Sequence, residues 1–301
     1  MTVPVSWRVL VGSMCLVPSA ALCQRAPSTQ QLFSSLRSPD PMARASALEA
    51  LHATRGALSR PGASAALLET LERENQLIAR TWLESHGTEG VVDTYGEEYG
   101  EYVSQLAGDC FKHCDLRDPR AVIALGDAYP AENKEFEQLA ARHGTTLLPR
   151  FLEATTSSDE EMRRIAVEKI AVVDAMSRTL SARERERADS IVLAGLADHT
   201  DSSDAFELAL TVGTMAEGDV PLSTERRTVF HDALVALARS PDELQRIAAI
   251  RSLGKFRDRA DLPLLLNISG TDTVRRVSAG KANYPVRVEA AKAIALIRRP
   301  K

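Results

Sequence analysis

The chain has 301 residues, of which 44% are hydrophobic, 26% are charged and only 5% are aromatic, and its formal net charge is −4. This balance is ordinary for a folded protein with a large core, and the low aromatic content favours closely packed helices over a sheet. Because the chain carries no overall positive charge, its composition gives no argument for nucleic-acid binding.

The first 23 residues have the pattern of a secretory signal peptide. Arg8 is their only charged residue, an apolar run follows at 9–17, and small residues come after Pro18. A positive start, an apolar run too short to span a bilayer comfortably and a small-residue exit are typical of a cleaved signal. We therefore expect cleavage near Ala21–Cys23, a periplasmic or secreted protein, and no transmembrane segment in the mature chain. An uncleaved N-terminal anchor is the alternative.

Residues 24–30 are predicted to form a flexible leader, and the first helix signal follows at Asp40. This residue can cap a helix over 41–54 whose first residue is Pro41, where the missing N–H of proline has no cost. The next stretch, 56–143, contains no clear copy of the phrase that repeats further along the chain. Its helices are either diverged repeats or a distinct insert.

Three tyrosines recur at helical spacing inside this stretch, at Tyr95, Tyr99 and Tyr102. The favoured interpretation is packing against a neighbouring helix around Trp82, because aromatic stripes at helical spacing usually face a core. The alternative is a recognition surface, since tyrosine is enriched in interface hot spots. The acidic members of that candidate surface are Glu97, Glu98 and Glu101.

Two cysteines, Cys110 and Cys114, remain in the chain after signal cleavage. In an oxidising compartment a structural disulfide between them is the expected state, and free thiols are the alternative. Cysteines four residues apart on a regular helix are poorly oriented for this bond, so the helix must end or distort near Cys114. Metal binding with His113, or redox chemistry, is disfavoured because no fourth ligand and no C-x-x-C spacing are evident.

A helical phrase recurs every 41 residues in the second half of the chain. Its copies start at Arg164 (or Arg163, since the register is ambiguous by one residue), Ala205, Arg246 and Arg287. Small or apolar residues three, six and seven positions on mark one helix face. A fixed period of this length is typical of stacked supersecondary units. The expected fold over 31–301 is therefore all-α, a helical-repeat solenoid (α-α superhelix) of stacked antiparallel helix pairs.

Capping signals and apolar stripes place the helices of these units. Ser158 with Glu161, and Asp242 with Gln245, have capping-box spacing, and Asp201 can cap a further helix. The helices predicted from the signals are about 159–174, 202–216, 242–256 and 285–299. Their predicted partners are Thr145–Ala154, Ala188–Ala197, Val229–Ala238 and Leu262–Ile268, and a long loop is predicted over Ser269–Ala282.

The segments 42–51, 245–254 and 286–294 resemble the second phrase of HEAT and HEAT-like repeats. In that family a capping Asp precedes Val-Arg, spaced alanines and Leu-Gly. The resemblance is clear over about 144–301 and fair over 31–55, and it implies stacked helix pairs but says little about function. The recurring arginine is expected to pair with the capping Asp across the first turn, as Arg44 with Asp40 and Arg246 with Asp242.

Charge is unevenly distributed along the chain. Residues 65–109 hold ten acids and two bases, whereas 245–301 hold thirteen bases and four acids. The basic end is either a solvated terminal cap or part of a bipolar solenoid that attracts partners of opposite charge to its two ends. Arg275 and Arg276 are the binding candidates at the basic end.

Motifs of catalysis are missing from the sequence, which has no H-E-x-x-H, no G-x-S-x-G and no P-loop. The predicted function is therefore an exported protein-binding scaffold with no catalytic activity, cofactor or metal of its own. Its partner is a protein of unknown identity rather than nucleic acid. The alternatives are a non-catalytic module associated with an enzyme, as in HEAT-like lyases, and a structural protein of the envelope.

Overall fold

In a computed structural model the described residues are 27–85, 97–131, 133–197, 202–217, 220–278 and 281–299. Over these ranges the chain forms thirteen α-helices, two short 3₁₀ turns and one β-hairpin, which confirms the all-α class. The helices are α1 Thr29–Ser35, α2 Pro41–Ala53, α3 Ala63–Ser85, α4 Glu97–His113, α5 Pro119–Ala128, α6 Lys134–Ala154, α7 Glu160–Met176, α8 Ala182–Ala197, α9 Ser202–Met215, α10 Thr224–Leu237, α11 Glu243–Phe256, α12 Leu262–Thr271 and α13 Pro285–Arg298.

The predicted helix starts are confirmed at two aspartates. The side chain of Asp40 accepts a hydrogen bond from the Met42 N–H at 3.0 Å, and that of Asp242 accepts one from the Gln245 N–H at 2.9 Å. Such caps satisfy donors that have no partner within the first helical turn. They fix the starts of α2 and α11 within one residue of the prediction.

Other start signals differ from expectation. The predicted box between Ser158 and Glu161 is wrong, because Asp159 caps α7 by accepting from the Met162 N–H at 2.8 Å. The box at Gln245 is also incomplete, since its side-chain oxygen accepts from the hydroxyl of Ser240. Asp201 lies outside the described residues.

Residues 29–30, which were assigned to the predicted leader, belong to the first helix. Ser28 and Gln31 form a reciprocal capping box that begins α1 at Thr29, so the assignment of 29–30 to the leader is wrong. The short α1 packs on α2 and contacts α3, which joins this end to the rest of the core.

Helices α6 to α13 stack as four successive pairs in two rows. The second helices of the pairs, α7, α9, α11 and α13, contact one another in sequence and form what we call the second-helix row. The first helices, α6, α8, α10 and α12, precede their partners along the chain and pack on them. This arrangement is the predicted helical-repeat solenoid.

Close helix approach within the second-helix row depends on glycine. A Cβ added at Gly213 of α9 would lie 2.5 Å from the Ser252 Oγ and 3.0 Å from the Ser252 Cα of α11. The Ser252 hydroxyl in turn donates to the Ala209 carbonyl at 2.7 Å. Gly254 meets Ala293 of α13 in the same way, at 3.1 Å. Small residues at these points therefore set the spacing of the row.

The described parts of 56–143 are mostly helical and pack against the rest of the stack. They form α3, α4, α5 and the first half of α6, and α3 contacts both α4 and α5. Helix α6 has a non-helical residue at His143, two residues before the predicted partner helix Thr145–Ala154 begins. The kink thus separates the less regular N-terminal helices from the regular pairs.

The segment predicted as a long loop, Ser269–Ala282, is wrong in part. Helix α12 continues to Thr271, and strands Arg276–Ser278 and Lys281–Asn283 pair antiparallel as a hairpin between α12 and α13. The alternating short strands were too brief to give a period-2 signal. Within the described ranges, no helix is both long and apolar enough to span a membrane.

Candidate functional site

A groove with a volume of about 510 Å³ runs along the second-helix row. Side chains from α7, α9, α11 and α13 line it, together with Ala131 and Glu137. Because one surface feature crosses four successive repeat units, the stacking of the units itself creates it.

Equivalent positions of the repeat supply most of the groove lining. Counted from Arg163, Ala205, Arg246 and Arg287, the residues five positions on are Glu168, Leu210, Arg251 and Lys292. Those nine positions on are Val172, Thr214, Lys255 and Leu296. All eight line the groove. Positions three and seven, counted in the same way, are buried in every copy, whereas positions five and nine line the groove.

The charges in the groove are segregated by sign. The acidic end carries Glu137, Glu168 and Glu207, from α6, α7 and α9. The other end carries three bases, Arg251, Lys255 and Lys292, from α11 and α13, together with Glu289. Leu210 and Thr214 lie on α9, between the two ends.

Glu289 organises the basic end. It is 8% exposed and accepts hydrogen bonds from Arg251 Nε at 2.9 Å and from Lys292 Nζ at 2.8 Å. Burial alone would raise the pKa of Glu289, but these two cations outweigh it and lower the pKa, so the carboxylate stays charged. The side chains of Arg251 and Lys292 remain 43% and 64% exposed, which leaves both accessible from the groove.

The acidic end is held partly by an ion pair on α7. The Glu168 carboxylate accepts from Arg164 at 2.5 Å, and its side chain is 12% exposed. Glu207 on α9 is exposed. Three acidic side chains therefore give this end of the groove a negative field.

The tyrosine stripe is part of the core. Tyr99 and Tyr102 of α4 are buried, and their hydroxyls donate to the Glu74 carboxylate of α3 at 2.6 and 2.8 Å. Burial first, and then the hydrogen bond to Glu74 and the charge of that carboxylate, raise the pKa of both phenols, so both remain neutral donors. The prediction that Tyr99 and Tyr102 belong to a recognition surface is therefore wrong. Tyr95 and the side chain of Trp82 lie outside the described residues.

The acidic residues beside that stripe do not form a shared site with it. Glu98 and Glu101 are exposed on α4, and neither lines the groove. The side chain of Glu97 lies outside the described residues. The basic candidates do not line the groove either. Arg275 is exposed, and Arg276 in the hairpin pairs with Glu243 at 3.0 Å.

The cysteine prediction is wrong in this structure, where Cys110 and Cys114 are free. Helix α4 stays regular through its last turn, and the Cys114 N–H donates to the Cys110 carbonyl at 2.8 Å. An intact turn keeps the two Cβ atoms poorly oriented for a disulfide. The Cys114 thiol instead donates to the Ser64 carbonyl at 3.5 Å.

The recurring arginine has a structural role that differs from the expected pair with its capping aspartate. In three copies its guanidinium donates to two backbone carbonyls just before the helix, for example Arg246 to Ser240 and Pro241, both at 2.8 Å. The hydroxyl of Ser240 also accepts a hydrogen bond from the Asp242 N–H at 3.1 Å. The copies with this pattern are Ser38–Arg44, Ser157–Arg163 and Ser240–Arg246.

Carboxylates from later elements take the remaining donors of two of these arginines. Arg44 pairs with Glu74 of α3, and Arg246 pairs with Asp272 after α12 at 3.0 Å. The expected intra-turn pairs Asp40–Arg44 and Asp242–Arg246 are therefore wrong, because each aspartate is occupied by its helix N-terminus. The Arg163 contacts also settle the ambiguous register in favour of Arg163.

A second cavity of about 650 Å³ lies between α3, α5, α6 and α7. Charged residues at its edge are paired with each other, as Arg120 with Glu72 and Arg150 with Asp127. No group of three or more metal-ligating side chains occurs among the described residues. The groove is therefore the better candidate site, because its charges form an ordered pattern.

No family model matches this sequence, and no curated protein matches it. Among solved structures, two engineered proteins are similar at 17% and 16% identity, with 90% of this chain and 96% and 99% of theirs covered and TM-scores of 0.37 and 0.38. A designed armadillo repeat protein in complex with the peptide (KR)4 is similar at 17% identity and a TM-score of 0.39, with 90% of this chain and 100% of that chain covered. Since these values are low, the fold assignment depends on the helix contacts described above.

Proposed function

We propose that this protein is an exported scaffold that binds an extended segment of a protein partner in the groove of the second-helix row. The observation that carries the proposal is that equivalent positions of four successive repeat units line one groove. A repeated surface of this kind offers similar contacts at regular intervals, which suits an extended chain.

The spacing of the charged groups supports binding rather than chemistry. Packed helices lie about 8–10 Å apart, so three helix steps from Glu168 to Lys292 cover roughly 24–30 Å. Acid–base or nucleophilic catalysis needs its groups within hydrogen-bond reach of one reacting centre. Side chains spread over four helices instead provide separate docking points.

Export is supported by the pattern of the first 23 residues, with Arg8, the apolar run and the small-residue exit. Intact-mass measurement of protein recovered outside the cytoplasm tests it. Loss of 21 or 23 residues fits the proposal, whereas a full-length cytoplasmic chain overturns the exported part while leaving the groove untouched.

Partner recovery tests the binding part. Thr214 of α9 is half-buried in the groove, so Thr214→Arg fills it with a long charged side chain. Thr228 of α10 is exposed and lies outside the groove; its hydroxyl bonds a carbonyl of its own helix, as that of Thr214 does. Thr228→Arg is therefore a matched control. Partners recovered with the wild type and Thr228→Arg should be lost with Thr214→Arg, provided that circular dichroism shows all three folded. Equal recovery by all three would overturn the proposal.

A further inference from the structure

We infer that the segment bound in the groove is itself bipolar, with a basic side chain at the acidic end and an acidic side chain at the basic end. This inference rests on the proposed function and specifies the partner's chemistry. It depends on the order of charges along the second-helix row, which a net charge of −4 does not reveal.

The acidic end selects a cation. Glu137, Glu168 and Glu207 come from three different helices and line the same end of the groove. Arg164 is bonded to Glu168 and also to Glu161, so its charge is shared between two carboxylates. A lysine or arginine of the partner would meet at least two carboxylates here, and like charge would be repelled.

The basic end selects an anion. Arg251 and Lys292 share one carboxylate, Glu289, and the Lys255 ammonium lies 3.6 Å from the exposed carboxylate of Glu217, which is not part of the groove lining. Three cations therefore face one buried and one exposed carboxylate. The shared Glu289 fixes Arg251 and Lys292 side by side, which prepares them to receive a carboxylate of the partner.

The middle of the groove favours an uncharged side chain. Leu210 and Thr214 lie between the charged ends and carry no charge, and Val172, Ala293 and Leu296 add apolar surface within the two ends. The charges of the segment must therefore be separated. From the midpoint of α7 and α9 to that of α11 and α13 is two helix steps, or roughly 16–20 Å. At about 3.3 Å per residue, an extended chain covers this distance in five or six residues.

Fluorescence anisotropy with labelled peptides tests the inference on the full mature protein. The probe is a ten-residue peptide of Ala, Ser and Leu with lysine at position 2 and glutamate at position 8. Comparison peptides have the lysine and glutamate adjacent, both replaced by serine, both lysine, or both glutamate. We expect the separated pair to bind about tenfold more tightly than each of the others, and this advantage to shrink at high salt.

A charge swap gives the sharpest control. Glu207 is exposed, so the charge of its side chain can be reversed without breaking a buried contact. The Glu207→Lys variant should bind the probe more weakly than the wild type does. It should regain affinity for a second peptide in which glutamate replaces the lysine of the probe. Arg298 is an exposed base at the end of α13 outside the groove, so Arg298→Glu should leave both affinities unchanged.

The outcomes separate this inference from the proposed function. Equal affinity for all peptides, or binding that survives Thr214→Arg, overturns the bipolar partner. Failure of every peptide to bind overturns it as well. In each case the partner-recovery experiment with Thr214→Arg still tests the scaffold role independently of the peptides. A light-scattering mass of a dimer that becomes a monomer in Glu207→Lys would instead identify a second copy of the chain as the occupant, and would also overturn the inference.

Discussion

The guanidinium of Arg44 forms two hydrogen bonds with the carboxylate of Glu74, and both side chains are completely buried. Arg44 lies on α2 and Glu74 on α3, and Tyr99 and Tyr102 of α4 donate to the same carboxylate. One buried anion thus joins three helices at the N-terminal end of the solenoid. Its charge is compensated by one cation and its oxygens by two hydroxyls, as a buried carboxylate requires.

Removing the charge of Glu74 should strongly destabilise this end. Glu74→Gln leaves Arg44 buried without a counter-ion, and we expect the free energy of unfolding to fall by about 3–5 kcal/mol. Glu69→Gln is the matched control, because Glu69 lies on the same helix and pairs with Arg37 while both side chains are about half exposed. That change should cost less than about 1 kcal/mol. Urea denaturation measures both, and equal effects would contradict the role given to the buried pair.

Helix spacing in the second-helix row should depend on Gly213. In Gly213→Ala the new Cβ meets the side chain and the backbone of Ser252, so α9 and α11 must move apart. We expect a loss of about 1–3 kcal/mol in stability. Gly108 of α4 has nothing within 4 Å of an added Cβ, and Gly108→Ala should stabilise by roughly 0.5–1 kcal/mol through helix propensity. A stabilising Gly213→Ala, measured by denaturation, would show that the helices are not in this close contact.

Stability should fall with rising pH through His231. Burial lowers the pKa of His231, but its 2.8 Å hydrogen bond to Asp261 and the charge of that carboxylate outweigh burial and raise the pKa. The protonated ring is therefore favoured in the folded state. This contribution is complete below the ordinary pKa of about 6.5 and is lost as pH rises through the raised value.

Denaturation at several pH values between 5.5 and 8.5 tests this pH dependence. The difference in unfolding free energy between wild type and His231→Asn should shrink steadily as pH rises. Since Asp232 also lies 3.3 Å from the ring, Asp232→Asn should change the slope less than His231→Asn does. If the difference in unfolding free energy between wild type and His231→Asn stayed constant over this pH range, the contact between His231 and Asp261 would not depend on protonation of the ring.

The two cysteines should titrate as thiols. The hydrogen bond between the two sulfurs lowers the pKa of Cys114 and raises that of Cys110, and Cys114 is the more exposed. A thiol reagent at neutral pH should therefore modify Cys114 first, and denaturation should reveal Cys110. In Cys114→Ser the remaining thiol, Cys110, should react slowly with the reagent in the folded protein. Finding no reactive thiol in denatured mature protein purified without reductant would restore the disulfide.

Local signals gave the helices of this protein, because caps and apolar stripes depend on residues close in sequence. Asp40, Asp242 and the 41-residue period fixed the starts of α2, α11 and the other second helices. The arginine partners could not be found this way. Arg44 bonds Glu74 thirty positions along the chain, and no local spacing indicates that distance.

The groove was missed for a related reason. The repeat was predicted from positions three, six and seven counted from Arg164, which are small or apolar in each copy. Counted from Arg163, positions three and seven are buried in all four copies. Positions five and nine vary from Glu168 to Lys292 because they face the groove, and their variation hides them from a search for similarity. Reading the variable positions of the phrase in order would have revealed the change from acid to base.

Site-specific photo-cross-linking tests the central claim most directly. A photoreactive benzoylphenylalanine placed at Leu210 lies in the middle of the groove, and the same residue at Leu266 lies on α12, away from it, where the side chain is 48% exposed. The account predicts a cross-linked partner from Leu210 and none from Leu266. A partner captured at Leu266 but not at Leu210 would contradict it.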